Sequence, residues 1–385
     1  MNICILTPRY PYPEAAGDVV RICNIARYLK TKGHKLTLVS FYEQVSDINN
    51  QEAKELFDDQ FLIKRSNLES FLYTVLYFLL GKPLQCGFYW SPRFLKIFKK
   101  ITTGKKYDLY IAQLIRMERY LSEAEVVNTS IIEMSDALSK TYSLAKESSV
   151  YSLKKYIYQL EKNRIRKAEK EIIEKYKKVI LVSESDKTYL GNKKSLYVYT
   201  NGVFANCNHD GEYNPKKIVF VGNMRTLQNQ DAVVYFINNI LLQIKRKYLD
   251  IVFYVVGAEP SNRIKKLNDG VNIFVTGYVE KVEEVIKDAC LMVAPIRIGA
   301  GIQNKVLMAM ACHVPVVLSE KITEGIPELV DGENCLVARS EQDYIQYCEL
   351  LIENPSTRDA LAESGFKMVK KCYSWSALLD GYEDL

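Results

Sequence analysis

The chain has 385 residues, which at roughly 150 residues per domain predicts two or three domains, each large enough to bury its own core. Its 48% hydrophobic and 25% charged residues are those of an ordinary globular protein and exclude a disordered, collagen-like or coiled-coil chain. The net charge of +6 is local: residues 82–106 carry Lys82, Arg93, Lys96, Lys99, Lys100, Lys105 and Lys106 with no Asp or Glu. Nine cysteines without any C-x-x-C pair give neither a zinc ribbon nor a redox motif, and an odd number of scattered thiols reads as reduced and cytoplasmic. Met1–Thr7 runs directly into Pro8, Pro11 and Pro13, which is not the pattern of a signal peptide. The most apolar run, Phe71–Leu80, is about half the ~20 residues that a membrane span needs.

Short β-branched and aromatic runs alternate with longer amphipathic stretches, the signature of β-α units on parallel sheets. A first series of strands is predicted at Asn2–Leu6, Lys35–Phe41, Phe61–Lys64, Tyr107–Ala112, Ser130–Met134, Lys178–Ser183 and Leu196–Tyr199. A helix over Val19–Lys32, stopped by Gly33, joins the first two. Residues 151–178 read as a long helix with a charged, solvated face over an apolar stripe. The polar, aperiodic stretch 204–216 reads as a linker. A second series follows, with strands at Lys217–Val221, Ile251–Val256, Val271–Thr276, Leu291–Pro295, Val314–Leu318 and Cys335–Val337. Its helices fall near Asp231–Lys247, Ser261–Leu267, Val282–Lys287, Gln303–Ala311 and Glu341–Glu353. The expected division is an N-terminal Rossmann-like domain over 1–203, a second one over 217–372, and a C-terminal helix over 373–385 that packs back on the first.

The most informative segment is Leu291–Leu318, LMVAPIRIGAGIQNKVLMAMACHVPVVL. A buried strand ends at Pro295, a Gly-x-Gly turn follows at Gly299–Gly301, and a helix opens near Gln303. Glycines let the backbone approach a ligand, and the amides of a helix N-terminus favour an anion such as a diphosphate. In a doubly wound sheet this turn lies at the carboxyl end of a strand, where ligands bind.

The string GxGIQNKVLxAMAxxxPVV resembles the donor-site segment of family 4 glycosyltransferases of the GT-B fold, nearest to a bacterial subgroup of surface-polysaccharide enzymes. The resemblance continues, in order, through Ile218–Phe236, Phe253–Pro260, Val275–Ala289 and Tyr373–Leu385, and more loosely through the first half. It implies an α/β chain of two Rossmann-like doubly wound domains facing each other across a cleft. The implied reaction moves a sugar, with retention, from a nucleotide-sugar donor (UDP- or GDP-sugar) in the second domain to an acceptor in the first. It implies no metal: side-chain cations and helix-terminal amides stabilise the departing diphosphate.

Carried over residue by residue, the resemblance makes Lys305 and Arg225 the phosphate-neutralising candidates, with Arg297 beside them. Gly222 and Asn223, Gly257, and the turn and helix start Gly301, Ile302, Gln303 and Asn304 are implied in donor binding. Tyr278 and Val279, after Gly277, stand where the base is held by backbone contacts. Gly17, flanked by Asp18 and Arg21, resembles a glycine that meets the donor phosphates. Two departures stand out. The Glu-x7-Glu pair of many family members is replaced by Ala300 and Met308, and a thioether is a poor acceptor for ribose hydroxyls. The family's Arg and Lys after the first strand of this domain are replaced by Asn223 and by Leu227 or Gln228. Asp136, in MSDALS, is the acidic candidate for a catalytic base, with Glu133 behind it; a front-face retaining reaction needs none. His34, His209 and His313 fall in turns or the linker and give little support to a histidine nucleophile or base.

Between Lys82 and Lys106 the cations alternate with Phe88, Tyr89, Trp90, Phe94, Leu95 and Phe98, directly after the apolar run. Cations attract anionic headgroups and aromatics suit the interface, so this region reads as attachment to the inner face of the cytoplasmic membrane, the alternative being a domain-core helix with a solvated basic edge. A polyisoprenoid-linked glycan acceptor fits that reading, and no nucleic-acid module surrounds the patch. From other classes come a non-catalytic subunit of a polysaccharide assembly, kept open by the missing Glu pair at Ala300 and Met308, and a nucleotide-sugar epimerase of the same fold. A dehydrogenase is disfavoured, since the first β-α turn lacks Gly-x-Gly-x-x-Gly.

Overall fold

The computed structural model describes residues 1–14, 17–44, 48, 50–148, 153–205, 213–298 and 302–384. These form two compact units, one of Met1–Asn201 with the residues from Leu378 onward, the other of Gly202–Ala377. The first unit holds a parallel sheet of β1 (Asn2–Thr7), β2 (Lys35–Tyr42), β3 (Asp59–Lys64), β4 (Leu109–Gln113), β5 (Ser130–Ser135), β6 (Val179–Leu181) and β7 (Leu196–Val198). Its spatial order is β3-β2-β1-β4-β5-β6-β7. The second unit holds β8 (Asn214–Val221), β9 (Val252–Val256), β10 (Ile273–Gly277), β11 (Ala289–Ala294), β12 (Val316–Ser319) and β13 (Leu336–Ala338), in the order β10-β9-β8-β11-β12-β13. Both are doubly wound: strand order reverses at β1/β4 and at β8/β11, and every strand pair is parallel. Central strands such as β11 are buried at every residue because helices cover both sheet faces, which is why the sequence shows continuous apolar runs there instead of alternation.

Every predicted strand is present, with shifts at the ends. β8 begins at Asn214, inside the stretch read as linker, because Asn214 N–H donates to the Asp288 carbonyl (2.7 Å) and pairs with Ala289 of β11. Of that stretch, residues 206–212 lie outside the described residues. The helix read from Asp231 starts at Leu227, since Thr226 Oγ1 accepts from Asn229 N–H (3.4 Å) as its N-cap. It continues through a π turn at Phe236–Leu241 to Lys247. An unforeseen helix, Pro355–Cys372, carries Gly365 at its centre, where a Cβ would stand 3.1 Å from the Asn334 carbonyl oxygen. The C-terminal segment is not one helix. It is a short helix, Trp375–Leu378, and a 3₁₀ turn, Tyr382–Asp384, separated by Gly381 in the left-handed region (φ +73°).

The aromatics assigned to a membrane interface need a larger correction. Trp90, Phe94 and Phe98 are buried in the core of the first unit. Trp90 stacks on Tyr120 (centroids 5.0 Å apart), and Phe94 lies between Tyr120 (4.3 Å) and Phe41 (4.6 Å). Solvent instead receives the preceding helix, Asn67–Leu79, with Leu68, Phe71, Leu72 and Leu79 exposed. Among the described residues no helix is long and apolar enough to cross a membrane.

Beneath the carboxyl ends of β1 and β5 lies a buried charged cluster. Arg21, on the Gly17–Thr31 helix, donates through Nε to Glu133 Oε1 (2.9 Å) and through Nη1 to Asn201 Oδ1 (3.0 Å). The Tyr382 hydroxyl donates to Glu133 Oε2 (3.0 Å), so the tail of the chain closes the cluster. Removing one partner of a buried pair leaves an uncompensated charge, costing about 3–5 kcal/mol. Arg21→Met is therefore expected to destabilise the first unit by about that amount in urea unfolding, and Tyr382→Phe by about 1.5–3 kcal/mol, a lost hydrogen bond to a charged group. An Arg21→Met loss no larger than that of a surface substitution would refute a structural role for the Arg21–Glu133 pair.

Candidate functional site

Ligands of doubly wound sheets bind beyond the carboxyl ends of the strands where strand order reverses. In the second unit that place lies past β8 and β11. Gly222 and Asn223 follow β8. Gly257 follows β9 at φ +149°, and a Cβ there would stand 1.9 Å from the Gly222 carbonyl oxygen, so only glycine allows this approach. A Cβ on Gly222 would in turn stand 2.6 Å from Asn229 Nδ2. Asn229, buried in the first turn of its helix, donates Nδ2 to the Asn223 carbonyl (2.8 Å) and accepts from Lys305 Nζ through Oδ1. The Lys305 ammonium also lies over the Phe220 ring, 4.9 Å from its centroid.

Lys305 is half-buried and, among the described residues, has no carboxylate partner. Burial alone brings its pKa down from the ordinary lysine value to about 8. It stands in the first turn of the Asn304–Ala311 helix, which is fixed from below by buried Val306, Leu307, Ala309, Met310 and Ala311. Gln303 is the N-cap, Ile302 is exposed, and Met308 is half-buried against the apolar core. Gly301, like Gly299 and Ala300, lies outside the described residues.

The other two cation candidates differ from Lys305. Arg297 forms a two-pronged pair with Asp231 (3.0 and 2.6 Å) and lies over the Tyr235 ring at 4.4 Å. Arg225 is mostly exposed and 3.5 Å from Glu259. Gly257 N–H donates to the Gly277 carbonyl (3.2 Å), which brings the β9 and β10 ends together. From there Tyr278 projects into solvent at 74% exposure while Val279 packs partly on the core. The structure thus gathers Gly222, Asn223, Gly257 and Lys305 into one constellation, with Arg225 and Arg297 tied to carboxylates of their own. Asn229, which links its parts, escaped the sequence reading. The signal was Thr226 three residues before it, an N-cap that places Asn229 on a helix instead of in a loop.

In the first unit, a Cβ on Gly17 would meet nothing within 4 Å. Asp18 pairs with Arg9, and its carbonyl accepts from Gln113 Nε2 (2.6 Å) at the end of β4. Asp136 follows β5 after Ser135, which is held in the left-handed region (φ 65°). The surrounding protein mass, and then the Asp186 carboxylate, push the Asp136 carboxyl above its ordinary value, with Arg21 and Lys140 opposing. Both oxygens of Glu133 are occupied as described, so it is a structural carboxylate and not a free base. Beyond β1 and β2 lies a cavity of 400 Å³, lined in part by Arg9, Tyr10, Tyr12, Tyr42 and Arg65, which sequence reasoning missed.

Two doubly wound units of this kind define the GT-B class of α/β fold. Residues 215–354 match the family model described as glycosyl transferases group 1. Along 97% of its length the chain is 23% identical to an uncharacterized 44.6 kDa protein in the cps region of Klebsiella pneumoniae, covering 96% of that relative. It is 27% identical to an uncharacterized glycosyltransferase of Methanocaldococcus jannaschii over 45% of each chain. Among solved structures, Anabaena HepE in complex with UDP matches with a TM-score of 0.62 at 14% identity, covering 100% of this chain and 99% of that one. TarM matches with 0.63 at 11% identity, covering 100% and 98%. At such identities the structural likeness shows the fold.

A lysine whose folded pKa is lowered opposes folding while both states hold the proton. That cost is relieved as pH rises from about 8 toward the ordinary lysine value, where the unfolded chain holds more protons. The stability of the unaltered protein relative to Lys305→Met is thus expected to rise across this window in urea unfolding. A difference constant with pH would show that Lys305 is not desolvated.

Proposed function

We propose that the chain is a retaining glycosyltransferase that moves a sugar from a UDP- or GDP-sugar donor to a glycan acceptor, by inference lipid-linked, in the assembly of a bacterial surface polysaccharide. The observation that carries this reading is Lys305. An ammonium desolvated and, among the described residues, without a counter-charge, set beside the close backbone approach of Gly222 and Gly257 at a strand-order reversal, is a site suited to a diphosphate. The group 1 match covers these residues, and HepE, of the same fold, has been solved with UDP and with UDP-glucose. The capsule setting is supported by the Klebsiella relative from a cps region.

In this reading Lys305 and the amides at the start of its helix stabilise charge on the departing diphosphate, with no metal taking part. Gly222, Asn223 and Gly257 admit the phosphates close to the backbone. Tyr278 and Val279 neighbour the base. Arg297, held by Asp231, positions the strand-end loop, and Arg225 can exchange Glu259 for phosphate because both are exposed. The acceptor belongs to the first unit, where Asp136, with its raised pKa, is the candidate for the acceptor's proton. The exposed apolar helix supports peripheral attachment to the cytoplasmic face of the membrane. A second reading, a weak or inactive homologue, is favoured by Met308, whose half-buried thioether has no carboxylate to offer a ribose.

A panel of UDP, GDP, ADP, CMP and dTDP sugars in thermal unfolding, followed by transfer assays with each hit, tests the proposal. A donor at 100 times its dissociation constant stabilises by about 2.7 kcal/mol, and one uridine or guanosine donor is expected to do so. Lys305→Met is expected to weaken that donor tenfold or more, the scale of a charge-assisted hydrogen bond of about 1.5–3 kcal/mol. Donor binding without any transfer would favour the inactive homologue, and no stabilisation by any donor would refute the reading.

A further inference from the structure

The Asn67–Leu79 helix is built inside out. Leu68, Phe71, Leu72, Val75, Leu76 and Leu79 recur at three- and four-residue spacing, and all are exposed, from 42% at Val75 to 75% at Leu79. Its buried positions include Ser70 and Tyr77. A contiguous apolar face of this size on a soluble domain marks a surface that meets another apolar phase.

At the carboxyl end of this helix, next to exposed Leu80, opens a cavity of 340 Å³. Its walls carry six cations, Lys82, Arg116, Arg119, Arg164, Lys167 and Lys175, against two carboxylates, Glu118 and Glu171. Three of the cations are engaged: Lys175 with Glu118 (3.2 Å), Arg119 with Glu123 (3.2 Å) and Arg164 with Glu161 (3.1 Å). Lys82, Arg116 and Lys167 have no carboxylate within ion-pair distance among the described residues. Arg116 is held in place all the same, donating to Gln85 Oε1 (2.8 Å) and lying over the Tyr89 ring at 5.2 Å. Arg119 is fixed likewise by the Tyr77 hydroxyl (2.6 Å) and the Trp90 ring at 3.8 Å. The cavity is therefore a preorganised, net-positive recess with a guanidinium and two ammonium groups unanswered, and it adjoins the apolar face.

We propose that this recess binds the phosphate headgroup of an anionic membrane phospholipid while the Asn67–Leu79 face enters the acyl boundary. The inference rests on the membrane reading given above and goes beyond it, since it replaces a diffuse basic patch over residues 82–106 by a defined site. Charge complementarity selects a phosphate-bearing headgroup. The adjoining apolar surface selects a lipid over a free phosphate ester, because such a helix lies at the level of the headgroups.

Flotation of the full chain with vesicles of phosphatidylcholine, alone or mixed with phosphatidylglycerol, tests this. The unaltered chain is expected to float with both and to prefer the mixed vesicles. Lys82→Ala/Lys167→Ala, at two exposed positions, is expected to lose about 25-fold in partition to mixed vesicles, fivefold per charge at ~1 kcal/mol for each lysine near an anionic surface. Its partition to phosphatidylcholine alone should be unchanged, and Lys99→Ala/Lys100→Ala should lose clearly less. Equal losses in the two pairs, or none in the first, would overturn the headgroup site while leaving membrane attachment standing. Release by glycerol 3-phosphate at constant ionic strength would assign the recess to soluble phosphates and overturn the lipid assignment. Failure of the unaltered chain to float with either vesicle would overturn the attachment itself.

Discussion

A lysine ammonium held over a phenylalanine ring, answered among the described residues by one amide oxygen and no carboxylate, is an arrangement that folding by itself disfavours. Burial makes the charged form of Lys305 costly, and the nearest polar group, Asn229 Oδ1, is neutral. The second unit tolerates this because its frame is rigid. The Asn304–Ala311 helix is fixed by five buried apolar residues, and β8 delivers Phe220 and Gly222 from the centre of a fully parallel sheet. Perturbed ionisable groups gather where function needs them, and here the perturbation coincides with two glycines packed closer than any side chain would allow.

Arg297 and Arg225 make the point by contrast. Each lies near the same sheet edge, and each has a carboxylate, Asp231 or Glu259. An arginine clamped in two-pronged geometry and laid over Tyr235 is already satisfied, so it shapes the loop after β11 and leaves little charge to offer. Of the cations that the family resemblance singles out, Lys305 alone has no carboxylate partner among the described residues. Met308 fits the same picture: its thioether packs on the core, so its position on the helix offers no charged acceptor.

The fold was legible because parallel strands covered on both faces must be apolar at nearly every position, and short length, flanking turn residues and β-branched and aromatic content mark such runs as strands instead of buried helix. What stayed hidden were features that depend on distant partners. Tyr382 and Glu133 are 249 residues apart, and neither position carries a local signal that they meet. Phe94 and Phe98 follow a basic, aromatic rhythm that suits an interface, and only the packing of Tyr120 and Phe41 turns them inward. The site was half legible. Lys305, Gly222 and Gly257 could be read from turn chemistry and a family likeness, whereas Asn229 required knowing that Thr226 caps a helix starting at Leu227.

The two units use buried charge in opposite ways. In the first, Glu133 receives Arg21 on one oxygen and Tyr382 on the other, so a carboxylate sealed from water has its acceptor capacity met from two ends of the chain. A pair closed in this manner fixes the tail to the body of the unit and has little left to give a ligand. In the second, the half-buried Lys305 ammonium meets a neutral amide oxygen and, among the described residues, no carboxylate. A charge whose partners are all internal reports on architecture, and a charge buried without one reports on something that arrives from outside. By that criterion Glu133 belongs to the architecture of the first unit, and Lys305, which has no carboxylate partner among the described residues, does not.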